Sequence, residues 1–366
     1  VPHSIPLYDL PAEVAAGGDE YRAGFERVLA SGRFVAGAET AALERELAAE
    51  LGGGHPVLVR SGTDALLLAL RATGVGNGDE VITSAFTFIA TAEAILHCGA
   101  VPVFADIEPG TLCIAARTVA PLVTPRTRAV LAVHVFGHCC DMDEMVDHCA
   151  SRGLRLVEDA AQAFGSAWRG RPLGLLGDAG TFSFYPTKNL AGLGNGGAAV
   201  ARDAQTARTI RSLADHGADQ DGRHVRIGYN SRPDEFQAAF LRTSLARFGT
   251  AARRRRAIAT RYDAGLPASL IRVHGATGSD SNYHQYAILT PEATRLAQHL
   301  GSLGIGTGDY YRTPLHREPA IATACRHSGL PDTELACANV LGLPVRPSLT
   351  DEEQTAVIAA VCRFFA

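Results

Sequence analysis

The chain predicts an α/β fold, a mostly parallel sheet covered by helices on both faces, followed by a smaller α+β domain. Three observations carry this. Seven short apolar runs without polar alternation fall in the first 200 residues. Helical stretches lie between most of them. After Asn230 the pattern changes. Apolar runs that do not alternate are strands buried on both faces, which is the pattern of a parallel sheet flanked by helices. At 366 residues the chain can bury a large core and fill two domains.

Taken in order, residues 20 to 50 have helical periodicity, broken by the segment Gly32 to Gly37. The predicted strands are Val57–Val59, Glu80–Thr83, Pro102–Ala105, Ala129–Val133, Leu154–Glu158, Ala179–Phe184 and Gly197–Val200. Beyond Asn230, Asp234–Arg261 reads as one long helix rich in Ala, Leu and Arg, which are good helix formers. A strand at His284–Leu289, a helix at Pro291–Leu300, a strand at Ile305–Tyr311 and a last helix at Leu349–Phe365 complete the chain. The expected domains are 1–248 and 249–366, with the long helix bridging them.

Composition narrows the function. The formal net charge of −4 does not favour a nucleic-acid partner, which calls for a basic footprint. The run Arg253–Arg256 has no interleaved aromatics and is expected on a solvated helix face. No apolar stretch reaches the roughly 20 residues of a membrane helix. Val1–Pro6 lacks a basic region followed by an apolar run, so no secretory leader is expected. Eight cysteines are mostly isolated in apolar surroundings. His138-Cys139-Cys140 lacks the second cysteine pair of a zinc site, so no metal is expected. A reducing cytoplasm follows.

Four segments carry chemistry. The strand ending at Glu158 runs into Asp159. A carboxylate at the carboxyl end of such a strand can face a ring nitrogen and keep it protonated, which is what makes a pyridine ring an electron sink. Glu158 would then point to the other face. As residues alone, Asp159 is equally a helix N-cap, and Gln162 is ambiguous. Lys188 follows Phe182-Ser183-Phe184-Tyr185-Pro186, with no other charge between Asp178 and Arg202. A lysine that joins an aldehyde as a Schiff base has to be placed and shielded in this way. Ser183 is near enough for one loop to serve both a phosphate and the aldehyde carbon. Gly62 and Thr63 open a helix directly after the Val57–Val59 strand, where free amides make an anion site. Phe88 is the candidate to stack on a flat ring and Phe86 the candidate for the core. Gly192–Gly197 satisfies a dinucleotide G-x-G-x-x-G pattern but leads into a strand rather than a helix, so it is expected to serve turns and close packing. No nucleophile elbow, Walker loop or H-E-x-x-H occurs.

Together these pieces resemble the DegT/DnrJ/EryC1/StrS sugar aminotransferases, the fold type I pyridoxal-phosphate enzymes. The resemblance is carried by Ser31–Gly37, Ser61–Leu66, Phe86–Ala92, Glu158–Gly165, Phe182–Leu190, Gly228–Arg232, Pro314–His316 and Leu343-Pro344. It implies that Lys188 anchors the cofactor and that Asp159 pairs with its ring nitrogen. It places Gln162 near the ring hydroxyl, Gly62, Thr63 and Ser183 on the phosphate, and Phe88 over the ring. It also implies a homodimer with shared sites, in which Asn230 reaches the partner's cofactor. Phe34, Tyr185, Tyr310 and His316 would border the sugar pocket. The branch most resembled acts on nucleotide-linked 3-keto sugars, usually with L-glutamate as donor. Two alternatives stand beside it: a cyclitol aminotransferase using glutamine, and a non-catalytic dimer that kept the fold. Dehydrating relatives carry His at the position of Lys188, which this chain does not. Asn195, Pro233 and His138–Asp143 depart from the family pattern and bear on the sugar's identity.

Overall fold

The computed structural model describes residues 4–366; Val1–His3, part of the segment read for a leader, lie outside the described residues. The seven apolar runs all form strands of one sheet. Its spatial order is His55–Val59, Gly197–Ala201, Ala179–Ser183, Arg155–Asp159, Thr127–Val133, Glu80–Ser84, Val101–Ala105 and Arg326–His327. Gly197–Ala201 runs antiparallel to both neighbours, and the remaining pairings are parallel. Alternate residues of one strand enter opposite cores. Val130 and Ala132 pack with Leu156 and Phe182, whereas Ala129 and Leu131 pack with Val157 and Leu68. This double burial is why the runs show no polar alternation.

Helices Gly62–Ala72, Ala90–His97 and Ala204–Ala214 pack on one face, and Ala38–Glu50 and Met142–Arg152 on the other. The break at Gly32–Gly37 separates helices Gly18–Ser31 and Ala38–Glu50. Gly32, at φ 63°, ends the first in the left-handed region that glycine favours. The second is capped from a distance: the Glu235 carboxylate accepts the amides of Gly37 (2.8 Å), Glu39 (2.8 Å) and Thr40 (3.0 Å).

The long helix spans Glu235–Gly265 and enters both cores. Phe248 packs with the sheet, while Ile258 and Tyr262 pack with Leu296, Leu341, Leu343 and Val361 around a small antiparallel sheet of Ile271–Arg272, Tyr286–Leu289 and Val340–Leu343. The Arg253–Arg256 run lies on this helix but is not simply solvated. Arg255 is buried and donates to Val345 O at 2.8 Å, and Arg256 donates to Gly165 O at 3.0 Å. The run stitches the helix to both halves.

A second expectation also differs from the structure. Ile305–Tyr311 forms no strand; it makes only single bridges, Ile305 to Ile5 and Gly308 to Gly342. Gly306 and Gly308 leave it too few side chains to pack on a pleated surface. Packing contacts also cross residue 248. Leu315, Ile321 and Leu330 pack on Ala85 and Phe104 of the large layer, while Ile5 joins the second core.

Candidate active site

Asp159 ends its strand, is 5 % exposed, and turns to the face opposite Glu158. Its Oδ2 accepts the Thr91 hydroxyl at 2.8 Å and its Oδ1 the Ala161 amide at 3.2 Å. No helix begins at Ala160, which removes the N-cap alternative. Burial pushes the Asp159 carboxyl above its ordinary range, and Thr91, the Ala161 amide and the Lys188 charge oppose that rise. Glu158 is buried against His134 Nε2 at 2.9 Å and the amides of Gly174, Leu176 and Gly177.

Lys188 sits in the loop after Ala179–Ser183, where its amide donates to Tyr185 O at 2.8 Å. The side chain lies deep in the protein and is half-buried. Burial pushes its amine down to about 8, and the Asp159 charge limits that fall. Among the described residues it makes no ion pair and no side-chain hydrogen bond. Lys188 is also the only lysine in the whole sequence; arginine supplies the rest of the Lys and Arg count. A simple residue count would have singled it out without any motif.

The helix start at Gly62 meets Ser183. The Ser61 hydroxyl caps its helix through the Asp64 amide at 3.0 Å, and the amides of Gly62 and Thr63 have no partner among the described residues. A Cβ on Gly62 would come within 2.7 Å of Ser183 Cβ, so Ser183 lies directly against the helix start. Only glycine lets strand end and helix start approach this closely. Phe88 is 60 % exposed whereas Phe86 is fully buried, so Phe88 is the ring open to a ligand.

Gln162 is held at both ends of its amide. Its Oε1 accepts the Phe136 amide at 2.7 Å and its Nε2 donates to the Tyr311 hydroxyl at 2.7 Å. Tyr310 lies next to it in the chain, with its hydroxyl bonded to that of Tyr8, which accepts Gln285 Nε2 at 2.6 Å.

Four expected residues stand outside this set of contacts. Phe34 and Tyr185 are about half exposed, Phe34 lying 5.8 Å from the ring of Phe236. Asn230 is exposed a few residues along the chain from the exposed Val225 and Ile227, and its Oδ1 accepts from Arg232 at 2.9 Å. Its neighbour Ser231 donates to Asp64 Oδ2 at 2.7 Å, which ties this arm to the anion-site helix. His316 is buried against Glu334 at 3.1 Å, its ring 4.8 Å from that of His327 on the edge strand. Sequence reading missed Thr91, Tyr311 and Tyr8. Thr91 lies one helical turn beyond Phe88, a spacing that could have revealed it. Nothing local marks Tyr8.

These groups fit pyridoxal phosphate: an anion site without a side chain at Gly62, an open aromatic ring, a deep carboxylate and one unpaired amine. The family model for the DegT/DnrJ/EryC1/StrS aminotransferases matches residues 16–362. The chain belongs to this family. Its members are pyridoxal-phosphate-dependent sugar aminotransferases, and the protein is an enzyme of that kind. A dTDP-3-amino-3,4,6-trideoxy-alpha-D-glucose transaminase of Streptomyces venezuelae is 41 % identical, covering 98 % of this chain and 95 % of the relative. A UDP-N-acetyl-3-dehydro-alpha-D-glucosamine 3-aminotransferase of Acidithiobacillus ferrooxidans is 39 % identical, covering 98 % and 97 %. The crystal structure of S. venezuelae DesV, in complex with a ketimine intermediate, superposes with a TM-score of 0.95 at 40 % identity, covering 99 % of this chain and 98 % of that one. The fold is that of the fold type I aminotransferases.

Proposed function

We propose that this family member moves the amino group of L-glutamate to the C3 keto carbon of a nucleotide-linked deoxysugar, in two half-reactions at one site. The observation that carries the reaction type is the sole lysine, half-buried near Asp159 and without an ion-pair partner among the described residues, in a fold that leaves the Gly62 and Thr63 amides free at a helix start. The similar relatives named as dTDP- and UDP-sugar 3-aminotransferases support the acceptor.

Pyridoxal phosphate, when bound, supplies an electron sink and carries the amino group between the half-reactions. Gly62, Thr63 and Ser183 would hold its phosphate, and Phe88 would cover its ring. Asp159 would keep a proton on the ring nitrogen, and Gln162, fixed by Phe136 and Tyr311, would lie near the ring hydroxyl. Lys188 would hold the aldehyde carbon, and its amine would move the proton between the substrate carbon and the cofactor carbon. An amine held near 8 keeps a usable neutral fraction at physiological pH, as a base requires. The donor would leave as 2-oxoglutarate before the keto sugar enters. Phe34, Tyr185, Tyr310 and His316 are the proposed sugar-side residues, and Asn230 serves the site of a second copy in a homodimer.

Eight free cysteines support a reducing, cytoplasmic setting, and no helix among the described residues is long and apolar enough to cross a membrane. The deciding experiment incubates the enzyme with glutamate or glutamine and a panel of dTDP- and UDP-linked 3-keto sugars, 4-keto sugars and keto cyclitols. Amination of the 3-keto nucleotides from glutamate is expected. Turnover confined to the cyclitols would refute the acceptor, and turnover confined to 4-keto sugars the position.

A further inference from the structure

Lys188 has no side-chain partner among the described residues, yet its neighbour Asn189 has two. Asn189 Nδ2 donates to Asn282 O at 3.0 Å, and Asn189 Oδ1 lies 3.0 Å from His284 Nδ1. The first bond fixes which end of the amide is oxygen. The second must then run from imidazole to amide, so Nδ1 carries the proton and Nε2 does not. Burial keeps the His284 ring uncharged, and the charges of Lys188 and Arg255 act in the same direction. Lys188 therefore has the Asp159 carboxylate and the neutral His284 ring as its titratable neighbours, and only the first is charged.

Asn282 makes this hold rigid. It is fully buried, and each of its polar groups is engaged. Its Nδ2 donates to Gln162 O (3.0 Å) and Phe164 O (2.9 Å), its amide to Ser166 Oγ (2.9 Å), and its Oδ1 accepts the His284 amide (2.8 Å). The space is closed further by Gly137, where a Cβ would fall 1.9 Å from Asn282 Oδ1. One residue thus joins these parts: the Asn282 side chain holds the Gln162 loop and the His284 amide, and its main-chain carbonyl holds the Lys188 loop through Asn189. Leaving any of these buried groups unpaired carries a desolvation cost.

We propose that Asn189, His284 and Asn282 are positioning residues for Lys188: His284 holds the lysine loop through Asn189, and Asn282 locks that loop to the one carrying Gln162. The proposal rests on Lys188 being the cofactor-anchoring lysine. Its role is geometric, since an amine displaced by about 1 Å from the reacting carbon can cost up to about 100-fold in rate. His284 acts through its Nδ1–H and transfers no proton.

The test compares holoenzymes of wild type, His284→Leu, His284→Asn and Asn189→Ala. Asn can present an N–H donor near the position of Nδ1; Leu cannot. His284→Leu and Asn189→Ala are expected to lower kcat about 10- to 100-fold with the glutamate KM changed by less than about threefold. Both should also move the pH midpoint of the cofactor band above about 400 nm, and His284→Asn should restore rate and midpoint. Wild-type rate and midpoint in both His284→Leu and Asn189→Ala would overturn the proposal. So would a His284→Asn enzyme as impaired as His284→Leu, because that places the function on Nε2. If His284→Leu fails to fold, Asn189→Ala decides alone. A wild-type band that borohydride does not fix onto the Lys188 peptide would instead defeat the lysine assignment itself.

Discussion

Replacing Asp159 with Asn should make Lys188 a stronger nucleophile in the cofactor-stripped full-length chain. The amine is held at about 8 rather than at its ordinary 10.5, burial being the main cause and the Asp159 charge opposing it. At pH 7.5 about a quarter of the side chain is then neutral, against about one-thousandth for an exposed lysine, a gain of roughly 200-fold in reactive amine. Cyanate reacts with neutral amines, and Lys188 is the only ε-amine in the sequence. Peptide mapping after timed exposure therefore reports its titration alone, with the N-terminal amine on a separate peptide. The rate should reach half its plateau near pH 8 in wild type and at lower pH in Asp159→Asn. A wild-type midpoint near 10.5 would refute the burial argument, and an upward shift in the variant would refute the placement of Asp159. The same displacement has a stability consequence. The folded value lies below the unfolded one, so the buried ammonium penalises the fold fully below pH 8. The penalty lifts as pH rises from about 8 to 10.5. It amounts to about 3 kcal/mol. Lys188→Met should recover most of that at pH 7 and none at pH 11, as read by denaturant unfolding of the stripped chain.

Other substitutions test the remaining parts. Gly62→Ala places a methyl against Ser183 and should weaken cofactor retention at least about 10-fold, read by dialysis and absorbance, with little loss of helix content. Thr91→Val removes a donor to the Asp159 carboxylate, whose pKa should rise further; kcat should fall about 10-fold, and the fall should be steeper at low pH. Phe88→Ala, which removes an exposed ring, should raise the cofactor dissociation constant while shifting the melting temperature by less than about 1 °C. Mixing inactive Lys188→Ala with Asn230→Ala subunits should give hybrid dimers with one intact site if Asn230 acts across the interface, and activity should return toward about one quarter of wild type. No recovery would confine Asn230 to its own chain.

Much of the site was legible because its parts are local. Asp159 and Glu158 had to face opposite ways on a strand, and they do. Ser183 ends the strand whose following loop carries Lys188, and the Gly62 helix start follows closely on a strand. Two readings failed for want of tertiary context. The Arg253–Arg256 run looked solvated because charge alone does not show which arginine meets buried carbonyls. Ile305–Tyr311 looked like a strand because its apolar residues outweighed the glycines between them.

The amino-acid sequence by itself determined the layered architecture, since double burial of parallel strands writes itself into unbroken apolar runs. It also determined the chemistry, since one lysine, a strand-end carboxylate and a glycine at a helix start are features a few residues long. Only the tertiary structure decided what orients them. Thr91 bonds Asp159 across 68 residues, Asn189 meets Asn282 across 93, and Gln162 meets Tyr311 across 149. Hydrogen bonds at such separations follow no period along the chain. They exist because folding brings distant polar groups out of water together, where each must find a partner.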